Sequence, residues 1–366
     1  MSASSDTYGT HDEEDRPIPE HELDTLAERI PGAKGNSPLA LPRAAWWSIA
    51  KRIYVMIGFH NISLLAAGVA FFSFLAFVPL IASIVLIYGL VGDPEIVANN
   101  INLLQGFVPP EVLGILEEQL LGIVTTSKTA QGFGLALAIG FSIYGAMRSA
   151  TAMIAALNII YEEHETRNFF RTTAVAATIT VGMVLVGIIG TLAISLFTYA
   201  GKVLSDYIGS GSALLIQIAT WILAGMLISL TFAVFYRYAP DRRAAKWRWL
   251  SVGSVLSTLL WVAITLGFGF YVANLTNYNA TYGSLAAVVI FLMWLFLSAF
   301  AVLIGAEVNS EMERQTMMDS TVGPDRPIGH RGAVMADSVV VDAASRTILE
   351  KKRRREADKA ASRASR

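Results

Sequence analysis

Tyr278–Glu311 reads YNATYGSLAAVVIFLMWLFLSAFAVLIGAEVNSE, and its middle, Leu285–Ile304, carries no charge. A helix of about 20 residues rising about 1.5 Å each reaches about 30 Å, the thickness of a bilayer's hydrocarbon core. Tyr278, Tyr282, Gly283 and Ser284 form a polar turn before it, and Glu307, Asn309, Glu311 and Arg314 follow it. The pattern is a membrane span between two wet ends.

Working outward, the chain repeats this unit. It has 366 residues, of which 54% are hydrophobic and 16% charged. Soluble domains carry about 25% charged residues, and here the apolar excess falls in long uncharged runs. The expected fold is all-α: an integral membrane protein, a six-transmembrane-helix bundle with interfacial amphipathic helices and disordered polar tails. The spans are expected at about 63–90, 133–160, 173–199, 213–236, 250–272 and 285–306, inside a membrane domain of 62–314. Pro79 lies within the first, where neighbouring helices can satisfy the freed carbonyl. Residues 91–131 read as amphipathic segments on the outer surface. Residues 41–61, with Trp46, Trp47, Lys51 and Arg52, read as an amphipathic helix in the membrane interface. Residues 1–40 read as a disordered acidic tail, and 315–366 as a flexible basic tail ending in Lys351–Arg355. The first apolar run starts too late for a secretory signal peptide.

Basic residues fix the expected orientation. Arg43, Lys51 and Arg52 precede the first span. Arg167 and Arg171 follow the second, and Arg237, Arg242, Arg243, Lys246 and Arg248 follow the fourth. The other connections hold only Lys128, only Lys202 and no base. The positive-inside rule then puts both termini in the cytoplasm of a plasma-membrane protein.

Arg148 is the sharpest chemical feature, because a charge within a span is costly and faces the bundle interior or a wet cavity. Helical spacing puts Tyr144, Arg148, Thr151 and Asn158 on one stripe, next to a small-residue stripe of Ser142, Gly145, Ala146, Ser149, Ala152 and Ala156. With Glu307 these residues form the candidate polar or substrate site. One reading is a substrate or lipid-headgroup site; the other is a structural pin, with Arg148 bonded to carbonyls or a carboxylate. For Glu307, three roles stay open: a partner for Arg148, a partner for Arg167, Arg171 or the loop arginines, and a coupling-ion carboxylate.

Arg237, Arg242, Arg243 and Lys246, with Trp46 and Trp47, are candidate lipid-headgroup anchors. The expected partners are membrane lipids, including an anionic lipid or lipid-linked substrate, and no specific nucleic acid. No cofactor is expected. The chain has no Cys, and its five histidines (His11, His21, His60, His164, His330) show no metal-ligand spacing. No Walker loop or dinucleotide fingerprint is present.

Several motifs together resemble the YihY/virulence factor BrkB family of bacterial inner-membrane proteins. They are Ala66–Ser73 with Pro79-Leu80, Leu157-Asn158 with Tyr161 and Arg167, and Tyr236-Arg237-Tyr238 with Pro240. The last hairpin adds Trp261, Tyr271, Tyr278, Tyr282–Ser284, Trp294 and Gly305–Glu307. The resemblance covers about Trp46–Arg314 and implies a six-span inner-membrane protein. A ribonuclease label has been attached to the family, but these residues hold no positioned acid/base or metal cluster for such chemistry. The expectation is therefore a non-enzyme: a transporter or lipid-translocating permease, or a structural protein of envelope integrity that organises lipids or partners.

Overall fold

The structure is a computed structural model that describes residues 27–91, 128–208, 210–275 and 285–340. Residues 92–127 of the expected outer amphipathic segment, the acidic residues 1–26, the polar turn at 276–284 and the terminal basic cluster lie outside them. Among the described residues the elements are helices: α1 Arg43–Phe59, α2 Ile62–Val91, α3 Lys128–Ile160, α4 Phe169–Ile208, α5 Ser210–Tyr238, α6 Trp247–Leu275, α7 Ala286–Gln315 and the short α8 Val334–Asp337. Among the described residues, strand-like pairing is confined to one bridge between Ala245 and Thr321. Helices α2 to α7 are each long and apolar enough to cross a membrane. The molecule is an all-α integral membrane protein.

The chain divides into two units. The larger takes in 53–241 and 250–309. Within it α2 and α3 pack most extensively, and the small-residue stripe of α3 is where they meet. A Cβ on Gly145 would lie 2.6 Å from the Ala76 Cα, and the Ser73 and Ser149 hydroxyls bond at 2.6 Å. Small residues allow such close approach where apolar burial cannot drive helices together. Between α6 and α7 the same device recurs: a Cβ on Gly305 would strike the Ser257 hydroxyl, and one on Gly253 the Gly305 carbonyl. Asn309 accepts the Gly253 N–H at 2.9 Å, and the Tyr236 hydroxyl donates to the Val302 carbonyl at 2.7 Å. Towards the other end, the Trp261 and Trp294 indoles donate to Ser298 and Thr265. Helices α4 and α5 pack on each other, but only 6% of each apolar stretch is buried, so their apolar flanks stay exposed.

The smaller unit takes in the described residues up to 52, residues 242–249 and those from 310. It corrects the extent of both expected tails. Ile30 and Ala33 form a small core with Met317 and Val339, and the Met317 N–H donates to the Ala33 carbonyl at 2.8 Å. Arg331 is 4% exposed and donates to the carbonyls of Met317 and Ala336 at 2.6 and 2.7 Å. The Asp337 carboxylate accepts the N–H groups of Gly329, Arg331 and Gly332. Residues 27–40 and 316–340 are therefore folded. Side chains bonded to backbone, with left-handed turns at Gly329 and Gly332, hold them where little apolar surface is available.

Candidate functional site

The residues expected to share one polar site fall into three places, all in the larger unit. Arg148 lies close to the middle of the apolar stretch Phe133–Ile160, and it is exposed rather than turned into a packed interior. Its guanidinium carbon is 5.6 Å from the Phe72 ring centre and 5.9 Å from that of Tyr144. Rings at this range attract a cation through their negative faces. Among the described residues no acid pairs with Arg148. Tyr144 thus joins Arg148 as expected, with Phe72 of α2 as a further member. Thr151 bonds back to the Met147 carbonyl of its own helix at 2.8 Å.

Asn158 sits elsewhere and does a different job. It is buried, with its Oδ1 accepting the Asp241 N–H at 2.8 Å and its Nδ2 donating to Glu165 at 3.0 Å. Arg167 donates to both oxygens of Glu165 at 2.7 Å and to the Ala239 carbonyl at 3.0 Å. Asp241 accepts the Thr166 N–H and hydroxyl at 2.7 and 2.6 Å. These contacts lock the turn after α3 to the turn after α5. The Arg167 hydrogen bond holds the Glu165 carboxyl below its ordinary value against the opposing effect of burial. Burial pushes the Asp241 carboxyl up, but Thr166 and Arg167 more than offset it and hold that group low.

Glu307 is fully buried, and its Oε2 lies 2.9 Å from Nδ1 of His60. His60, set aside in the sequence as one of five scattered histidines, is thus a partner of Glu307, beside the three roles the sequence left open for that carboxylate. Sequence distance hid the pair, since 247 residues separate them.

The anchor residues also divide. Trp47 is 66% exposed, with the Lys51 ammonium 5.3 Å above its ring, and Trp46 is half-buried. Arg237 lies 5.4 Å over the Tyr238 ring. Arg242 instead turns inward to Glu313 in the smaller unit, with only 2% of its side chain exposed. Lys246 donates to the Asp319 carbonyl at 2.8 Å and to Asp325 at 2.9 Å, and Arg243 donates its N–H to Gly332 at 2.9 Å. Glu313 thus engages the Arg242 side chain, and Asp319 and Asp325 the Lys246 side chain, whereas Arg243 is tied to Gly332 through its backbone. Glu311, read in the sequence as part of a wet end, is buried and lies 2.5 Å from Arg52. Helical spacing past the span was the missed signal.

An all-α bundle of apolar helices, with a guanidinium near the middle of one of them, defines a polytopic membrane protein. The family model described as Virulence factor BrkB matches residues 53–327, and the chain belongs to that family. Among curated relatives, YfkH of Bacillus subtilis (strain 168), whose name describes it as ribonuclease-like, is 26% identical over 56% of this chain and 78% of its own length. A UPF0761 membrane protein of Paraburkholderia xenovorans (strain LB400) is 30% identical over 47% of this chain and 39% of its own length. Another, of Rhodospirillum centenum (strain ATCC 51521 / SW), is 26% identical over 88% of this chain and 66% of its own. The chain therefore spans less than two thirds to under half of these last two relatives. No solved structure matches.

Proposed function

We propose that this chain is a transporter or lipid-translocating permease of the plasma membrane, with both termini cytoplasmic, and that Arg148 receives the anionic headgroup of its substrate. The observation that carries the reading is Arg148 itself: exposed, near mid-span, and held from the side by Phe72 and Tyr144. A guanidinium at that depth needs water, a polar cleft or an anion. Its planar fork of N–H donors suits bidentate recognition of phosphate or carboxylate, which a lysine would not match. The basic connections on one side of the spans support the orientation. Trp47 with Lys51, and Arg237 with Tyr238, suit the headgroup layer of that side. The ribonuclease-like wording belongs to one relative's name, and nothing among the described residues indicates catalysis.

The test is thermal stability of the purified full-length protein in detergent, wild type beside Arg148→Gln, with anionic or zwitterionic phospholipid added. A ligand at 100 times its Kd stabilises by about 2.7 kcal/mol. The expected result is a rise in apparent Tm of wild type with the anionic lipid only, lost in Arg148→Gln. Equal shifts in both proteins would make Arg148 a structural pin. They would favour the other reading, a protein that organises lipids or partners for envelope integrity.

A further inference from the structure

His60 occupies the corner between α1 and α2, and two carboxylates of the larger unit converge on it. Nδ1 lies 2.9 Å from Oε2 of Glu307 on α7. Nε2 faces Oε1 of Glu162, in the turn after α3, at 3.9 Å. The exposures form a gradient: 33% for the Glu162 side chain, 3% for His60 and 0% for Glu307. Nε2 has no hydrogen-bond partner. Leaving a buried polar atom unmatched costs about 1–3 kcal/mol, so an unmatched imidazole nitrogen aimed at a carboxylate asks for a reason. The backbone on both sides is special. Asn61 and Glu162 have φ of 51° and 54°, the positive values among the described non-glycine residues. Asparagine adopts this region readily, whereas glutamate does so at a cost. The turn holds Glu162 there, with the Glu163 N–H donating to the Asn158 carbonyl at 2.8 Å.

We propose that Glu162, His60 and Glu307 form a proton-binding site inside the membrane unit, an entry carboxylate, a relay imidazole and a sealed carboxylate. A proton on Glu162 Oε1 passes to Nε2 once a side-chain rotation or one water closes the 3.9 Å gap. The proton on Nδ1 then passes to Oε2 of Glu307. Glu162 returns to a carboxylate, the imidazole ends neutral in its other tautomer, and Glu307 becomes a carboxylic acid. One proton has moved inward and no electron has been transferred. Imidazole suits the relay because its two nitrogens give and take protons on opposite sides of the ring near neutral pH. Two titratable groups face the ring, the carboxylates of Glu162 and Glu307, and Phe59 lies edge-on at 5.4 Å.

The test is an infrared titration of the full-length protein in lipid nanodiscs across about pH 5 to 8, the range of imidazole chemistry. The protonated-carboxyl C=O band and the imidazole ring modes are followed in wild type, Glu307→Gln, His60→Gln and Glu162→Gln. On acidification wild type should gain a carboxyl band that Glu307→Gln lacks and that His60→Gln displaces in pH. Glu162→Gln alters only the partly exposed edge and leaves the buried pair in place. It should keep both signals and move their midpoint down by about 0.5 to 1 pH unit, the effect of removing one nearby negative charge. If a buried variant does not fold, the Glu162→Gln midpoint decides alone. A wild-type titration without a carboxyl band, or a midpoint unmoved in Glu162→Gln, would overturn the proposal. The signal is proton occupancy, so it stands or falls apart from the role given to Arg148.

Discussion

Asn158 joins two turns with one amide. Its carbonyl oxygen takes the Asp241 N–H and its amino group reaches Glu165, so Asn158→Ala leaves both groups without that partner. The expected cost is about 1–3 kcal/mol, read as a lower apparent Tm in detergent, with ligand discrimination at Arg148 unchanged. The same lock has a pH signature. Glu165 and Asp241 are both held below their ordinary carboxylate values. Groups depressed in the folded state stabilise it above their unfolded values, near about 4, and lose that contribution as the pH falls through the lower folded values. The apparent Tm should therefore drop on the acid side below about pH 4, and Asp241→Asn should flatten that limb. Arg148 and Tyr144 were legible in the sequence because a charge in a span stands out and helical spacing names its neighbours. His60 was not, because its partner is brought to it only by the packing of α7.

At the scale of the element, the spans carry their own signal: apolar length is a one-dimensional property, so α2 to α7 are visible before any packing is known. Which faces meet is partly visible too, through the small residues of α3. Gly145→Ala sets a Cβ 2.6 Å from the Ala76 backbone, whereas Gly140 of the same helix has nothing within 4 Å of a built Cβ. Gly145→Ala should thus destabilise by about 1–3 kcal/mol by forcing α2 and α3 apart. Gly140→Ala should leave the apparent Tm of the purified protein unchanged or raise it slightly, because alanine is the better helix former. The shared destabilisation of both variants would argue against close α2–α3 contact. Composition misleads at the end of α7. Glu307 and Glu311 read as part of a wet end because they are charged, yet their side chains and that of Glu313 are fully buried against His60, Arg52 and Arg242. Charge alone does not tell a wet helix end from a set of internal ion pairs.

The whole molecule combines a bundle of apolar helices with a smaller folded unit made from segments far apart in sequence. The second was illegible because no periodic apolar pattern announces it; Arg331, Asp319 and Asp337 build it by bonding to backbone groups. Asp319 illustrates the economy: burial pushes its carboxyl up, but the Thr321 hydroxyl and N–H, the Arg326 N–H and Arg331 hold it below its ordinary value. What unites the account is the mid-span guanidinium, since membership of the BrkB family fixes a membrane protein and Arg148 supplies its proposed chemistry. The direct measurement is translocation of a fluorescent anionic phospholipid in sealed proteoliposomes, followed by quenching of the outer leaflet. Wild type should expose inner-leaflet lipid to the quencher faster than protein-free vesicles do, and Arg148→Gln, reconstituted at equal density and with unchanged apparent Tm, should not. Wild-type vesicles no faster than empty ones, or an Arg148→Gln protein as fast as wild type, would contradict the account.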